Sequence, residues 1–82
     1  MDRTLVAAFE KRMALSQEVA RCKLRQGLPV LDQAREAQVL ASRAAMARDA
    51  HWAESVRALY QEIMRLSRAE QERLLREARD EA

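Results

Sequence analysis

An all-α fold of three helices, long then shorter then long, is what this sequence predicts, and three observations carry that expectation. One Gly and one Pro occur in 82 residues, so few breaks separate the helices. β-Branched residues are sparse, which leaves a sheet little to be built from. Apolar residues recur at steps of four and three, the spacing of a packed helix face and not the alternation of a strand.

The first helix runs from about Asp2 to Gln26, with Asp2 as its N-cap and Gly27 as its C-terminal stop. Leu28-Pro29-Val30-Leu31 cannot continue it, because Pro29 lacks an N–H and biases Leu28 towards extended geometry. The second helix starts at Asp32, a good N-cap, and continues to about Arg48. Asp49-Ala50-His51-Trp52 forms the second turn, with Trp52 packing across it onto the helix ends. A third helix follows from roughly Ala53 to Arg79, and the charged tail from Arg76 to Ala82 is expected to fray. No internal repeat or low-complexity linker interrupts this order, so residues 1–82 read as a single domain.

The first helix would be about 37 Å long. A compact monomer of this size has a radius of gyration of about 12 Å, so such a rod overhangs it and leaves its apolar stripe wet. Pairing with a second copy removes the problem, and two-fold dimers are the commonest oligomer. A homodimer is expected on structural grounds alone.

Composition excludes several classes of function. Hydrophobic residues make up 49%, but 16 of them are Ala, so burial per residue is modest. Charged residues make up 34% and nearly balance at +2, which is too even for a nucleic-acid binder. Cys22 is the only cysteine, so neither an intrachain disulfide nor a thiol zinc cluster can form. His51 is the only histidine and falls in a turn, away from any metal cluster or Ser/His dyad. No Gly-rich phosphate loop is present, and no cofactor or metal is expected. The start, Met1-Asp2-Arg3, lacks the basic and apolar regions of a signal peptide, and no stretch approaches a membrane span. A cytoplasmic protein with no membrane or nucleic-acid partner is the expectation.

The informative residues are polar ones placed where the pattern wants apolar ones. Along the first helix the seam reads Leu5, Phe9, Arg12, Ser16, Val19 and Lys23. Arg12 and Lys23 are three turns apart within about 20° of one face, so both address one space about 16 Å long. Burying either without an anion is costly, which points to a compact dianionic ligand. The bland alternative, snorkelling or pairing with Asp or Glu, suits one such cation better than two.

The third helix repeats the feature. Its stripe is Val56, Leu59/Tyr60, Ile63, Ser67, Gln71, Leu74 and Ala78, which puts a hydroxyl and a carboxamide one turn apart on the inner face. Ser67-Arg68-Ala69-Glu70 also has the form of a capping box, but the apolar spacing on both sides argues for one helix through it. The second helix opens Asp32-Gln33-Ala34-Arg35-Glu36, where acidic residues complement a helix N-terminus whatever the function. Glu36 continues inwards on the stripe of Val39, Leu40 and Arg43.

Taken in order, these pieces resemble the all-helical (AroQ-type) chorismate mutases over nearly the whole chain. The likeness is carried by Arg12, by Lys23 before Gly27-Leu28-Pro29-Val30, and by Asp32-x-x-Arg35-Glu36. Leu59-Tyr60-Gln61-Glu62-Ile63-Met64 followed by Ser67-x-x-x-Gln71 completes it. The resemblance implies an intertwined homodimer of three-helix protomers with two pockets built from both chains. It implies cofactor-free conversion of chorismate to prephenate on the route to Phe and Tyr. By position, Arg12 and Ser67 would hold the ring carboxylate and Lys23 the enolpyruvyl carboxylate. Lys23 and Gln71 would donate to the ether oxygen, while Glu36 and the Asp32 backbone would position the ring hydroxyl. Arg35 would support that end, and Val19, Val39 and Met64 would form apolar walls. A [3,3] rearrangement needs no acid, base or nucleophile, and this sequence offers none; it needs a folded substrate and well-aimed donors.

One departure stands out. The first helix of the family starts roughly ten or more residues earlier and carries an arginine that reaches the partner's pocket. That position falls before Met1 here, and Arg3 is about two turns too late to replace it. Weaker substrate binding, reduced activity and a less stable dimer are the expectations. Two other readings compete. Isochorismate pyruvate-lyase shares the fold, but has an apolar residue where Glu36 follows Arg35 here. A non-enzymatic helical dimerisation or regulatory module draws its support from the shortened start.

Overall fold

The computed structural model describes residues 1–81, which form α1 (Asp2–Gln26), α2 (Gln33–Ala45), a 3-10 turn (Ala50–Trp52) and α3 (Ala53–Glu81). No strand occurs among the described residues, in agreement with the all-α expectation.

Helix α1 stops at Gly27, whose φ of 68° and ψ of 25° lie in the left-handed region that favours glycine. Leu28 donates its N–H to the Lys23 carbonyl at 2.9 Å and Gly27 donates to the Leu24 carbonyl at 3.3 Å. That pair of bonds is the Schellman closure of a helix end. Helix α2 begins as expected: Asp32 is extended (φ −130°, ψ 94°) and its carboxylate accepts the Arg35 N–H at 3.0 Å.

Several boundaries differ from expectation. Asp2 lies inside α1 and caps nothing; Met1 is the cap position, its carbonyl accepting the Leu5 N–H at 3.1 Å. The first turn therefore closes one residue earlier, with Asp2 left as an acidic first-turn residue. Helix α2 ends at Ala45 and not near Arg48. Met46 and Ala47 donate to the carbonyls of Arg43 and Ala44, at 3.0 and 3.3 Å, so the last turn tightens to i→i−3 bonding and closes. Asp49 then caps the 3-10 turn through its side chain, accepting the His51 N–H at 2.9 Å. Trp52 does not pack onto the helix ends: it is 56% exposed and lies edge-on to the His51 ring at 4.8 Å. The expected fraying from Arg76 is not observed up to Glu81, where α3 remains helical; Ala82 lies outside the described residues. Through Ser67 the helix is continuous, so the capping-box pattern starts nothing there.

Two compact units result. One comprises Met1–Val30 with the α3 residues from Ser67 on. Within it Ala20 is 2% exposed, and Phe9, Met13, Ser16, Gln17, Leu74 and Ala78 are half-buried. Gln17 ties α1 to α3 by donating to the Glu70 carboxylate at 3.2 Å. The other unit, Leu31–Leu66, buries Val39 and half-buries Val56, Tyr60, Ile63 and Met64. Its Arg43 guanidinium sits 6.0 Å from the centre of the Tyr60 ring. Ala20 and Val39 are the buried hydrophobic residues among those described, while Leu5, Val6, Leu15 and Leu24 of α1 are exposed. Among the described residues no helix is long and apolar enough to cross a membrane.

Candidate active site

Lys23 lies in the last turn of α1 and is half-buried. Its ammonium donates to the Val30 carbonyl at 2.8 Å and to Oε1 of Gln71 at 3.4 Å. Both acceptors are neutral, and among the described residues no salt bridge engages it. The cation is therefore held in place with its charge uncancelled. An ammonium has three donors, so one remains for a ligand.

Gln71 is the buried polar residue among those described, at 7% exposure. Its contact with Lys23 fixes which end of the amide is which, because only the oxygen can accept from an ammonium. The amide NH2 is thereby left to donate elsewhere. Uninterrupted helical spacing in α3 put Gln71 on this inward face in the sequence, and the structure places it against α1 as that spacing requires.

Arg12 is half-buried on the same α1 face, with its Nε shielded from solvent. The hydroxyl of Ser16 donates back to the Arg12 carbonyl at 3.2 Å, a local bond within the helix. Ser67 donates to the sulfur of Met13 at 3.8 Å. A thioether is a weak acceptor, so a stronger one can displace it at little cost.

Thus Lys23 and Gln71 are joined directly, and Arg12 and Ser67 belong to the same unit. Asp32, Arg35, Glu36, Val39 and Met64 belong to the other unit. There Asp32 serves as the N-cap of α2, and its carbonyl accepts the Glu36 N–H at 3.0 Å. Arg35 is exposed, Glu36 half-buried and Val39 buried. Val19, expected as an apolar wall, is 45% exposed in the single chain.

Three contributors escaped the sequence reading: Met13, Gln17 and the Val30 carbonyl. Phe9, Arg12, Ser16 and Lys23 of the expected seam are half-buried, while Leu5 and Val19 are exposed; the inward face widens to include Met13, Gln17 and the buried Ala20. Stepping four from Phe9 in place of three would have found Met13 and Gln17. No side-chain pattern could have announced a backbone carbonyl.

Three carboxylates of α3, those of Glu62, Glu70 and Glu77, pair with arginines of the same helix. Arg73 bridges Glu70 and Glu77 one turn to either side, and Arg65 pairs with Glu62. The Arg73 hydrogen bond, opposed by desolvation and helped by Gln17, holds the Glu70 carboxyl below its ordinary range. Glu62 is lowered in the same way, chiefly by its hydrogen bond from Arg65.

The family model described as chorismate mutase type II matches residues 1–72. The chain belongs to that family. Chorismate mutase is an isomerase activity, and membership assigns this chain to it in general terms. The chorismate mutase match covers α1, α2, the 3-10 turn and α3 as far as Glu72. Arg12, Lys23, Ser67 and Gln71 all fall inside it, as do Asp32, Arg35 and Glu36. No curated protein and no solved structure matches the chain.

Proposed function

We propose that this chain converts chorismate to prephenate by a cofactor-free [3,3] rearrangement in Phe and Tyr biosynthesis. The observation that carries the proposal is the bond between Lys23 and Gln71. It sets a charged donor beside a neutral one, the pair needed where the breaking ether bond gathers negative charge on oxygen. Lys23 keeps its charge and one donor for the enolpyruvyl carboxylate and that oxygen. Gln71, its carbonyl turned to Lys23, offers its NH2 to the same oxygen.

Arg12 and Ser67 hold the ring carboxylate, the hydroxyl leaving the Met13 sulfur for a far better acceptor. Glu36 and the Asp32 backbone position the ring hydroxyl, with Arg35 supporting them. Val19, Val39 and Met64 wall the ligand. The remaining work is conformational: the flexible substrate is held folded so that its two reacting termini meet. No proton is transferred and no covalent intermediate is formed.

The working form is a cytoplasmic homodimer, intertwined, with residues of both chains in each pocket. The exposed Leu5, Val6, Leu15 and Val19 of α1 support it, since a single chain leaves this apolar surface in water.

The test is to incubate the purified chain with chorismate and follow the loss of its ultraviolet absorbance, with isochorismate in parallel. Prephenate should form and isochorismate should release no pyruvate, since Glu36 follows Arg35. Replacing Lys23 by Ala should cut kcat/KM by about 100-fold or more while helix content is retained. Near-normal turnover by that variant removes the assignment of Lys23.

A further inference from the structure

We infer that the connector Gly27–Val30 is a positioning device for the Lys23 ammonium, with the Val30 backbone carbonyl as its fixed anchor. The inference rests on the proposed role of Lys23 as donor to the ligand.

Three constraints act in series along four residues. Gly27 adopts φ 68°, which reverses the chain and lets Leu28 donate to the Lys23 carbonyl at 2.9 Å. Pro29 then fixes its own φ and restricts Leu28 to extended geometry. The next carbonyl, that of Val30, arrives 2.8 Å from the Lys23 ammonium. Lys23 is consequently held at both ends by the same short segment, through its backbone oxygen by Leu28 and through its side-chain nitrogen by Val30.

A lysine side chain is a flexible stem with a point charge, and left alone it samples many rotamers. The Val30 bond is the shorter of its two contacts, 2.8 Å against 3.4 Å to Gln71, and so is the main restraint. The choice of acceptor matters as much as its distance. A carboxylate at this place would neutralise the ammonium and compete with an anionic ligand. A peptide carbonyl orients the ammonium and leaves its charge intact. With Val30 and Gln71 taking two donors, tetrahedral geometry directs the third away from both.

The chain itself supplies a clean assay, because Lys11 and Lys23 are its two lysines and Lys11 is exposed. Proton exchange of the two ammonium groups is measured by nitrogen-15 NMR on the full chain without ligand, alongside kcat and KM for chorismate. The variants are Gly27→Val, which resists positive φ, Gly27→Asn, which tolerates it, and Pro29→Gly, which loosens the connector. In the parent chain the Lys23 ammonium should exchange about tenfold slower than that of Lys11. Gly27→Val and Pro29→Gly should erase that difference and lower kcat about tenfold, more than they raise KM, with helix content unchanged. Gly27→Asn should keep both protection and kcat. A Cβ at residue 27 would meet nothing within 4 Å, so backbone conformation alone separates Asn from Val.

Equal exchange of the two ammonium groups in the parent chain would overturn the inference. So would folded Pro29→Gly protein that retains protection and kcat. Should the parent chain fail to turn over chorismate, the proposed activity falls, and the exchange rates still decide whether the connector holds Lys23.

Discussion

Gln71 and Lys23 meet across α1 and α3 with the amide oxygen towards the ammonium at 3.4 Å, so a buried carboxamide is oriented by a cation. Replacing Gln71 by Leu keeps the volume and removes both the acceptor for Lys23 and the spare NH2. Loss of the donor should lower kcat/KM for chorismate by about 100-fold. Thermal stability should fall only modestly, by about 1 kcal/mol, because the half-buried Lys23 ammonium loses its 3.4 Å acceptor but keeps the Val30 carbonyl at 2.8 Å. Turnover and melting temperature measured on the same preparation separate the two effects.

Ser67 is engaged by a weak acceptor, the Met13 sulfur at 3.8 Å. Ser67→Ala should therefore cost well under about 1 kcal/mol in a denaturant titration. Its KM for chorismate should rise several-fold, as expected for a hydroxyl that binds the ring carboxylate. A large stability loss with unchanged KM would mean the hydroxyl serves packing alone.

Asp32 and Asp2 both stand where a helix cap is expected from sequence, and only Asp32 caps. Asp32→Ala should cost about 1 kcal/mol, since the Arg35 N–H loses its acceptor. Asp2→Ala should cost about 0.3–1 kcal/mol at low salt through the helix dipole, and less as salt is added. Urea titrations at two ionic strengths distinguish a cap from a dipole contact.

Stability should fall with acid. The Glu70 and Glu62 carboxyls lie below their ordinary range in the fold because Arg73 and Arg65 donate to them. A depressed carboxyl contributes fully above its unfolded value of about 4.3 and loses that contribution as pH drops through the folded value. Melting temperature should accordingly decline between about pH 5 and pH 3. Arg73→Gln should flatten part of that decline. Because both pairs lie at the surface, added salt should flatten it too.

What the sequence made legible follows from what kind of signal each feature leaves. Pro29 and Gly27 marked the end of α1 to the residue, because each acts through backbone geometry that neighbours cannot override. Asp32 was legible for the same reason. Arg12, Lys23, Ser67 and Gln71 stood out as polar breaks in apolar stripes, and the fold gathers them in one unit. The α2 end was not legible: Met46, Ala47 and Arg48 are all good helix formers, and the stop comes from i→i−3 closure and the Asp49 cap further on. Nor was the full width of the inward α1 face, which takes in Met13, Gln17 and Ala20 beside Phe9, Arg12, Ser16 and Lys23. Val19 and Ala20 are adjacent apolar residues that compete for the inward position, and the smaller one takes it, at 2% exposure against 45%.

That choice has a thermodynamic consequence. Among the described residues Ala20 and Val39 are the buried hydrophobic ones and the other apolar side chains are at most half-buried, so unfolding of a single chain newly hydrates less apolar surface than a well-filled core would. The heat-capacity increment scales with that surface. Taken one chain at a time, this protein should have a shallow stability curve, changing slowly between cold and warm, with the curvature of an ordinary domain restored only by whatever covers α1.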